Sequence, residues 1–266
     1  MTARKRFGQH FLVDGNVIRK IVAAIDPQPD EHFVEIGPGR GAITLALLAA
    51  GARLDAIEID RDLARNLPAL LNSNRCAVHC ADALRFNFSS LAQPGEQLRL
   101  AGNLPYNIST PLLFHLLGQG SLFRDLHVML QKEVGERMTA SHGNRTYGRL
   151  TVTLALRCAV QRLFAISPGS FRPAPQVDSV FLRLVPHTHP LADQRTLARA
   201  DRLIGQAFTM RRKRLTNGLR GLLTAQEIES AGLDGGARPE ELPPADWLRL
   251  ASVNAALAND ATGLSE

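Results

Sequence analysis

The chain has 266 residues, of which 45% are hydrophobic, enough for one full-sized domain and a small second one. Its formal net charge of +6 predicts attraction to a polyanion. Its 3 cysteines do not make a disulfide framework, and its longest apolar helix, predicted at residues 42–50, is too short to span a bilayer, so we exclude a membrane protein and expect a cytoplasmic one.

Strand and helix patterns alternate along the first 186 residues. Apolar strands are predicted at residues 32–36, 53–57, 77–81, 98–102, 126–130, 159–166 and 180–185. This alternation predicts an α/β fold with a doubly wound, Rossmann-like sheet in a domain of residues 1–186. After a linker at residues 186–190, helical spacing of apolar residues predicts a small helical domain at residues 191–266.

A glycine-rich turn follows the first of these strands. Gly37, Gly39 and Gly41 let the backbone turn sharply and approach a ligand, and the next helix favours anionic groups at its amino terminus. Glu58, after the second strand, could accept hydrogen bonds from the two hydroxyls of a ribose. Because Gly37-x-Gly39-x-x-Ala42 also satisfies the dinucleotide pattern, a nicotinamide-dependent oxidoreductase stays open at this step.

The turn Asn103-Leu104-Pro105-Tyr106, after the fourth strand, joins an amide, a rigid carbonyl and an aromatic face. The side-chain oxygen of Asn103 could accept one N–H of an amine on a flat base, and the carbonyl just before or at Pro105 could accept the other. Tyr106 could stack on the base. Binding both protons frees the nitrogen lone pair for attack, so no charged base is needed.

Acidic or amide residues accompany four successive strands: Glu35, Glu58, Asp82 and Asn103. The carboxyl ends of such strands form the edge at which open α/β folds bind ligands. Asp82 is placed to accept the adenine amino group of a cofactor, and Asn103 to meet the substrate. The series favours S-adenosylmethionine over a nicotinamide cofactor, since no residue is placed to polarise a carbonyl near Asn103.

These residues lie in longer motifs through which the chain resembles the small-subunit ribosomal RNA adenine dimethyltransferases. That family dimethylates two adjacent adenosines near the 3′ end of the RNA, and the resemblance covers almost the whole chain. The motifs are RFGQHFL at residues 6–12, EIGPGRG at 35–41, EID at 58–60, DA at 82–83, NLPYNIS at 103–109, QKEV at 131–134, YGRL at 147–150, FRPAPQVDS at 171–179, AF at 207–208 and RRK at 211–213.

The resemblance implies S-adenosylmethionine as the cofactor and assigns its binding residues. It implies that His10 and Leu12 close over the cofactor and that Gly37 approaches its methionine moiety. Glu58 would hold the ribose, and Asp82 the adenine. His10 is a departure, because Asn is common at this position in the family.

The resemblance also assigns the residues that meet the target base. Asn103 would lie between cofactor and base, with the carbonyl of Leu104 or Pro105 as the second acceptor for the amine. Tyr106 would stack on the flipped adenine, and Phe171 would cover its opposite face. The following residue, Arg172, stands where a second Pro is common, and this departure leaves the catalytic turn intact.

Basic residues cluster in two parts of the chain, which supports an RNA partner. The amino-terminal cluster contains Arg4, Lys5, Arg6, Arg19 and Lys20, and the carboxy-terminal cluster contains Arg211, Arg212, Lys213, Arg214 and Arg220. The resemblance implies that the partner is small-subunit ribosomal RNA within the immature 30S particle. No exposed heptad suggests an oligomer, so we expect a monomer.

Two other features do not define a function. Residues 139–145 are small and polar, so they form either an ordinary surface loop or a mobile flap over the RNA. Cys76, His79 and Cys80 are close in sequence, but a structural zinc site needs four ligands at defined spacing, so we expect no metal.

Two alternatives to the small-subunit enzyme remain besides the oxidoreductase. One is a large-subunit ribosomal RNA adenine methyltransferase of the antibiotic-resistance type, which shares the fold and the turn. The block from Ala207 to Lys213 argues against it. The other is a ribosome-assembly factor that acts mainly by binding immature subunits and whose chemistry is secondary.

Overall fold

The computed structural model describes residues 9–260, with side chains to residue 253, as two compact units. Within that part of the chain, the first unit comprises residues 9–135 and Val160–Pro186, and the second comprises Glu136–Ala159 and residues 187–260. The sequence interpretation had grouped residues 136–159 with the first domain. The chain therefore leaves the first unit, returns to it for its last strands and leaves it again.

A seven-stranded mixed sheet forms the framework of the first unit. The strands are β1 (Phe11–Leu12), β2 (His32–Ile36), β3 (Arg53–Glu58), β4 (Cys76–Cys80), β5 (Leu98–Asn103), β6 (Phe123–Gln131), β7 (Cys158–Ile166), β8 (Phe171–Arg172) and β9 (Ser179–Pro186). The sheet order is β4-β3-β2-β5-β6-β9-β7, while β1 and β8 form a separate antiparallel pair. Strands β2 to β6 are parallel, and β9 is antiparallel to β6. The predicted α/β sheet is confirmed.

Helices follow the parallel strands, as the alternating pattern predicts. Those of the first unit are α1 (Gly15–Ile25), α2 (Ala42–Ala49), α3 (Arg61–Leu71) and α4 (Ser109–Leu117), and α5 (Lys132–Met138) leads into the second unit. Helices α1 and α3 begin at aspartates, because the carboxylate of Asp14 accepts hydrogen bonds from two backbone N–H groups and that of Asp60 from one. These caps fix where two of the helices start beside the sheet.

Strand β2 is buried along its whole length, as expected for a central parallel strand covered on both faces. Its Phe33 packs with Ile21 and Ile25 of α1, Leu47 of α2 and Leu54 of β3 in one hydrophobic cluster. Burying each such side chain contributes about 1.5–3 kcal/mol. The neighbours of β2 are therefore fixed by packing on both sides of the sheet.

A buried guanidinium connects α1 to three strands at the amino-terminal edge of the sheet. Arg99, in β5, binds both carboxylate oxygens of Asp125 in β6 at 2.8 and 3.0 Å. It also donates to the Glu31 carboxylate, just before β2, at 2.6 Å and to the carbonyl of Ile25 at 2.7 Å. Its ring neighbour is Phe33, whose centroid lies 4.8 Å from the guanidinium carbon. Desolvation of this charge is offset only because all of these partners are present together.

The second unit is helical apart from the first residues of β7. Its helices are α6 (Arg149–Ala155), α7 (Gln194–Thr209), α8 (Leu215–Gly218), α9 (Ala225–Ser230) and α10 (Pro244–Asp260). Trp247 and Tyr147 are buried in its core, where the Tyr147 hydroxyl donates to the carbonyl of Leu242 at 2.7 Å. Residues 187–260 contain no strand, as predicted. Among the described residues, no helix is both long enough and apolar enough to cross a membrane.

Gly102 keeps β2 and β5 in close contact where the candidate site begins. A Cβ atom at this position would lie 2.7 Å from the carbonyl oxygen of Ile36, its partner in the parallel register. We expect Gly102→Ala to lower the free energy of unfolding by about 1–3 kcal/mol, the usual effect of overpacking, in urea denaturation. Gly169→Ala is the control, because a Cβ there meets nothing within 4 Å. Equal stability of the two variants would contradict the tight packing.

Candidate active site

The carboxyl ends of β2, β3, β4 and β5 open into one cleft. Its volume is about 1020 Å³, including the space at its open mouth. The lining residues that follow these four strands are Gly37, Gly39, Glu58, Ile59, Ala81, Asp82, Ala83, Leu84, Asn103, Leu104, Pro105, Tyr106, Asn107 and Ile108. The sheet order reverses between β2 and β5, which is where ligands bind in open α/β sheets. The structure thus brings most of the predicted residues together.

The glycine turn after β2 forms one wall of the cleft. Gly37 and Gly39 have φ values of 67° and 58°, in the left-handed region that favours glycine. A Cβ on Gly39 would meet the Phe11 ring at 3.0 Å, so a side chain there would collide with β1. The turn therefore needs glycine for its conformation and for its fit against Phe11.

Glu58 is buried beside this turn and is held by backbone groups. Its carboxylate accepts hydrogen bonds from the N–H of Gly39 at 3.2 Å and of Asp60 at 2.9 Å. Burial raises the pKa of Glu58, although these two hydrogen bonds act in the opposite direction. A carboxylate can accept about four hydrogen bonds, so Glu58 keeps acceptor capacity for a ligand in the cleft.

A second carboxyl group, Glu35, lies inside the sheet one residue before the end of β2. It is 2% exposed, and burial, together with the charge of Glu58, raises the pKa of Glu35 to about 7, with Thr44 partly offsetting the effect. Glu35 is not among the residues that line the cleft. Its position beneath the glycine turn makes it a supporting residue rather than a contact.

Asp82 lies two residues beyond the end of β4 and lines the cleft beside Ala83. Its carboxylate accepts a hydrogen bond from the N–H of Leu84 at 3.0 Å, which fixes the side chain at the start of its loop. The predicted strand at residues 77–81 is β4, displaced by one residue. Asp82 and Glu58 therefore both face the cleft, as the sequence predicts.

Asn103, the last residue of β5, has one filled and one open hydrogen-bonding atom. Its side-chain Nδ2 donates to the backbone carbonyl of His10 at 3.0 Å. Because a carbonyl can only accept, this contact assigns the nitrogen and leaves Oδ1 on the other side. Oδ1 is buried and has no hydrogen-bond partner among the described residues. A buried oxygen of this kind costs free energy until a donor reaches it.

Tyr106 presents an aromatic ring to the cleft and is fixed through its hydroxyl, which hydrogen-bonds the hydroxyl of Ser179 at 2.8 Å. The His10 ring lies nearly parallel to it, at 23° and 6.0 Å between centroids. Leu104 is buried behind the turn, and its N–H donates to the carbonyl of Met129. The turn is thus anchored on β6 and β9 while its aromatic face remains in the cleft.

Two predicted site residues are not among those that line the cleft. Leu12 is 7% exposed and packs into the core of the first unit. Phe171 is fully buried in the same core, and its strand β8 pairs with β1. The predicted stacking of Phe171 on a base remains a prediction, and this structure leaves none of its ring exposed for that contact.

Sequence reasoning missed three cleft features. The backbone carbonyl of His10 orients Asn103, Ser179 holds Tyr106, and Phe11 packs against Gly39. Each contact joins segments far apart in sequence, so no local pattern signals it. Among the residues with described side chains, no group of three His, Cys, Asp or Glu is arranged to hold a metal ion.

Comparison with known proteins agrees with this geometry. Residues 1–256 match the family model described as "Ribosomal RNA adenine dimethylase". "Ribosomal RNA small subunit methyltransferase A" of Pseudomonas savastanoi is 50% identical over 255 residues, with 94% of each chain covered. The protein of the same name in Pseudomonas aeruginosa is 47% identical, with 96% of each chain covered.

Solved structures give the same result at lower identity. A dimethyladenosine transferase from Plasmodium falciparum superposes with a TM-score of 0.77 at 26% identity, covering 96% of this chain and 98% of the other. The 23S rRNA methyltransferase ErmE superposes with a TM-score of 0.71 at 27% identity, covering 91% and 98%. With its family model matched over nearly the whole sequence, the chain belongs to the ribosomal RNA adenine dimethylase family.

Proposed function

We propose that this chain transfers methyl groups from S-adenosylmethionine to the exocyclic amines of two adjacent adenosines near the 3′ end of small-subunit ribosomal RNA. We propose further that it acts as a cytoplasmic monomer on the immature 30S particle. One observation carries the chemical part. Asn103 Oδ1 is a buried acceptor without a partner among the described residues, in a cleft that also presents Tyr106. An amine on a flat base supplies the donor that this oxygen lacks.

The choice of the small-subunit RNA is supported by the names of the most similar curated relatives. Proteins called "Ribosomal RNA small subunit methyltransferase A" are 47–50% identical to the chain, whereas ErmE, named for 23S rRNA, is 27% identical. The fold alone does not separate the two substrates, since both kinds of enzyme superpose on it. The large-subunit enzyme is therefore the alternative that an experiment must test.

The cleft residues fit S-adenosylmethionine. The left-handed Gly37 and Gly39 let a ligand approach the backbone, the buried Glu58 keeps free acceptor sites for ribose hydroxyls, and Asp82 can accept an adenine amino group. The cleft volume of about 1020 Å³ is ample for a nucleoside and a base together. When bound, the cofactor supplies a methyl group that is already strongly electrophilic.

The chain's own contribution is orientation and electrostatics. Asn103 Oδ1 accepts one proton of the target amine, and the carbonyl of Leu104 or Pro105 accepts the other. Both acceptors are held by the rigid turn, so little reorganisation accompanies attack. The nitrogen gains a bond to the methyl group, and the proton it then loses passes to solvent. The mechanism needs no ionised base in the cleft.

An adenine inside folded RNA must leave its stack to reach this cleft. Stacking on an aromatic side chain offsets part of that cost, by about 1–3 kcal/mol for each base. Tyr106 supplies one such face. Because the Phe171 ring is buried, the proposal assigns stacking in this conformation to Tyr106 without Phe171.

The carboxy-terminal basic cluster divides into paired and unpaired residues. Arg211 pairs with the Glu240 carboxylate and donates to the carbonyl of Asn144 at 3.2 Å. Arg212, Lys213 and Arg214 are exposed and make no ion pair among the described residues, so they are the better candidates for phosphate contacts.

The amino-terminal basic cluster is only partly described. Arg4, Lys5 and Arg6 lie outside the described residues. In α1, Arg19 donates to the side chain of Asn16, and the Lys20 ammonium lies 4.3 Å from the centroid of the Phe164 ring. These intramolecular contacts leave Arg19 and Lys20 weaker candidates for RNA binding than the exposed residues of the other cluster.

Methyl transfer to isolated subunits tests the function and the role of Asn103. With tritium-labelled S-adenosylmethionine and unmethylated small subunits, we expect labelled dimethyladenosine, and no label with large-subunit RNA. Asn103→Ala should lower the single-turnover rate by about 100-fold or more, since a fixed transition-state acceptor is removed, with RNA binding near normal. Asn107→Ala is the matched control, an exposed amide in the same turn. A full rate in Asn103→Ala would reject its role, and labelling of large-subunit RNA alone would favour the alternative.

Calorimetric titration tests Glu58. We expect Glu58→Ala to weaken S-adenosylmethionine binding by about 1–3 kcal/mol, because the ribose hydroxyls no longer donate to a charged acceptor. Since Glu58 also holds the N–H groups of Gly39 and Asp60, Glu58→Gln, which keeps an acceptor oxygen, should lose less affinity. Unchanged affinity in a folded Glu58→Ala protein would remove the residue from the cofactor site.

Salt dependence tests the exposed basic cluster. Replacing Arg212, Lys213 and Arg214 by Gln should make log K against log salt shallower, by about 0.9 for each duplex phosphate that the variant no longer neutralises, with cofactor affinity unchanged. Replacing Arg53, Arg75 and Arg124 by Gln removes the same charge from residues paired with Glu96, Asp30 and Glu31, and this control should keep the parental slope. A parental slope in the test variant would show that recognition lies elsewhere.

A further inference from the structure

His10 is fixed at both ends in the cleft. Its backbone carbonyl accepts the hydrogen bond from Asn103 Nδ2 at 3.0 Å. Its ring Nδ1 lies 2.8 Å from the carbonyl oxygen of Pro173, and because that oxygen can only accept, Nδ1 carries the proton. The position of the imidazole is therefore set by the same residue that orients the catalytic amide.

The imidazole lies over Tyr106 in a near-parallel arrangement. The ring planes differ by 23°, and the centroids are 6.0 Å apart. Two successive aromatic contacts of about 3.5 Å would need about 7 Å between the outer rings. An outward movement of the His10 ring by about 1 Å, against one exposed hydrogen bond to Pro173, gives a gap for one planar base.

The other aromatic rings of this region are engaged elsewhere. Phe171 is fully buried in the core. Phe11 is 8% exposed and lies beneath the Arg40 guanidinium, 4.6 Å from the ring centroid. Among the residues that line the cleft, His10 is thus the ring that lies parallel to Tyr106.

We propose that His10 is a positioning residue whose imidazole forms the second aromatic wall of the target-base slot, so that the adenine is held between His10 and Tyr106. The inference rests on the proposed function. It assigns the chain's departure at position 10, where the family commonly has Asn, to base binding. Stacking on two faces fixes the plane of the base, and with it the direction of the amine toward Asn103 Oδ1.

The test compares the affinity of the full-length protein for two RNA fragments. One carries adenine at the target position, and the other carries an abasic residue there. The ratio of the two dissociation constants isolates the contribution of the base from that of the phosphates. The ratio is measured for the parent, His10→Ala, His10→Asn and His10→Phe, with His189→Ala, an exposed histidine outside the cleft, as the matched control.

The proposal makes a distinct prediction for each variant. His10→Ala and His10→Asn should lower the adenine-to-abasic preference by about 5-fold or more, the usual effect of removing one stacking face. His10→Phe should retain it, because the ring remains although the nitrogens do not. His189→Ala should match the parent. Calorimetry should give the same S-adenosylmethionine affinity in all five proteins, which separates a base wall from a cofactor contact.

Three results would overturn the inference and leave the proposed function standing. An unchanged preference in His10→Ala would show that the ring does not touch the base. A higher preference would show that the ring competes with the base for Tyr106. A lower cofactor affinity with unchanged preference would make His10 a cofactor contact. If the parent itself neither prefers adenine nor methylates the subunit, the proposed function fails first, and the two failures are distinguishable.

Discussion

The reversal of strand order between β2 and β5 is the constraint on which the cleft depends. These neighbouring strands are parallel and tightly packed, because Gly102 leaves no room for a side chain against the Ile36 carbonyl. The chain continues from β2 through the glycine turn and from β5 through Asn103, and a gap opens between the two paths. Every polar residue proposed to hold a ligand lies within two residues of a strand end along this edge.

The floor of this cleft is electrostatically unusual for a protein that binds a polyanion. Glu35 and Glu58 are both buried, and burial raises the pKa of each. Their carboxyl groups favour positive charge nearby, whereas the net charge of +6 on the whole chain favours phosphate. The overall field thus suits an RNA backbone, while the local one suits a cationic sulfonium, so the two charges of the reaction are accommodated in different places.

The sequence predicts the sheet well because the apolar strands and the glycine turn are local signals. Asp82 and Asn103 could be placed by that means, since a residue that follows a parallel strand must emerge at the ligand-binding edge. The burial of Phe171 could not be predicted, because it depends on the pairing of β8 with β1, more than a hundred residues earlier. The orientation of Asn103 depends likewise on His10, and the pairing of Arg211 on Glu240, contacts that carry no periodic signal.

The Arg99 cluster has a consequence for how the first unit assembles. Its partners are separated from it by 26 residues at Asp125, 68 at Glu31 and 74 at Ile25, so no short segment of the chain can satisfy the guanidinium alone. A sheet lacking either β6 or the end of α1 would bury a charge with part of its hydrogen bonds missing, which is worse than leaving it in water. Partly assembled forms are thereby raised in free energy relative to both the unfolded and the complete state. One arginine at the edge opposite the cleft thus makes unfolding of the catalytic unit more nearly all-or-none.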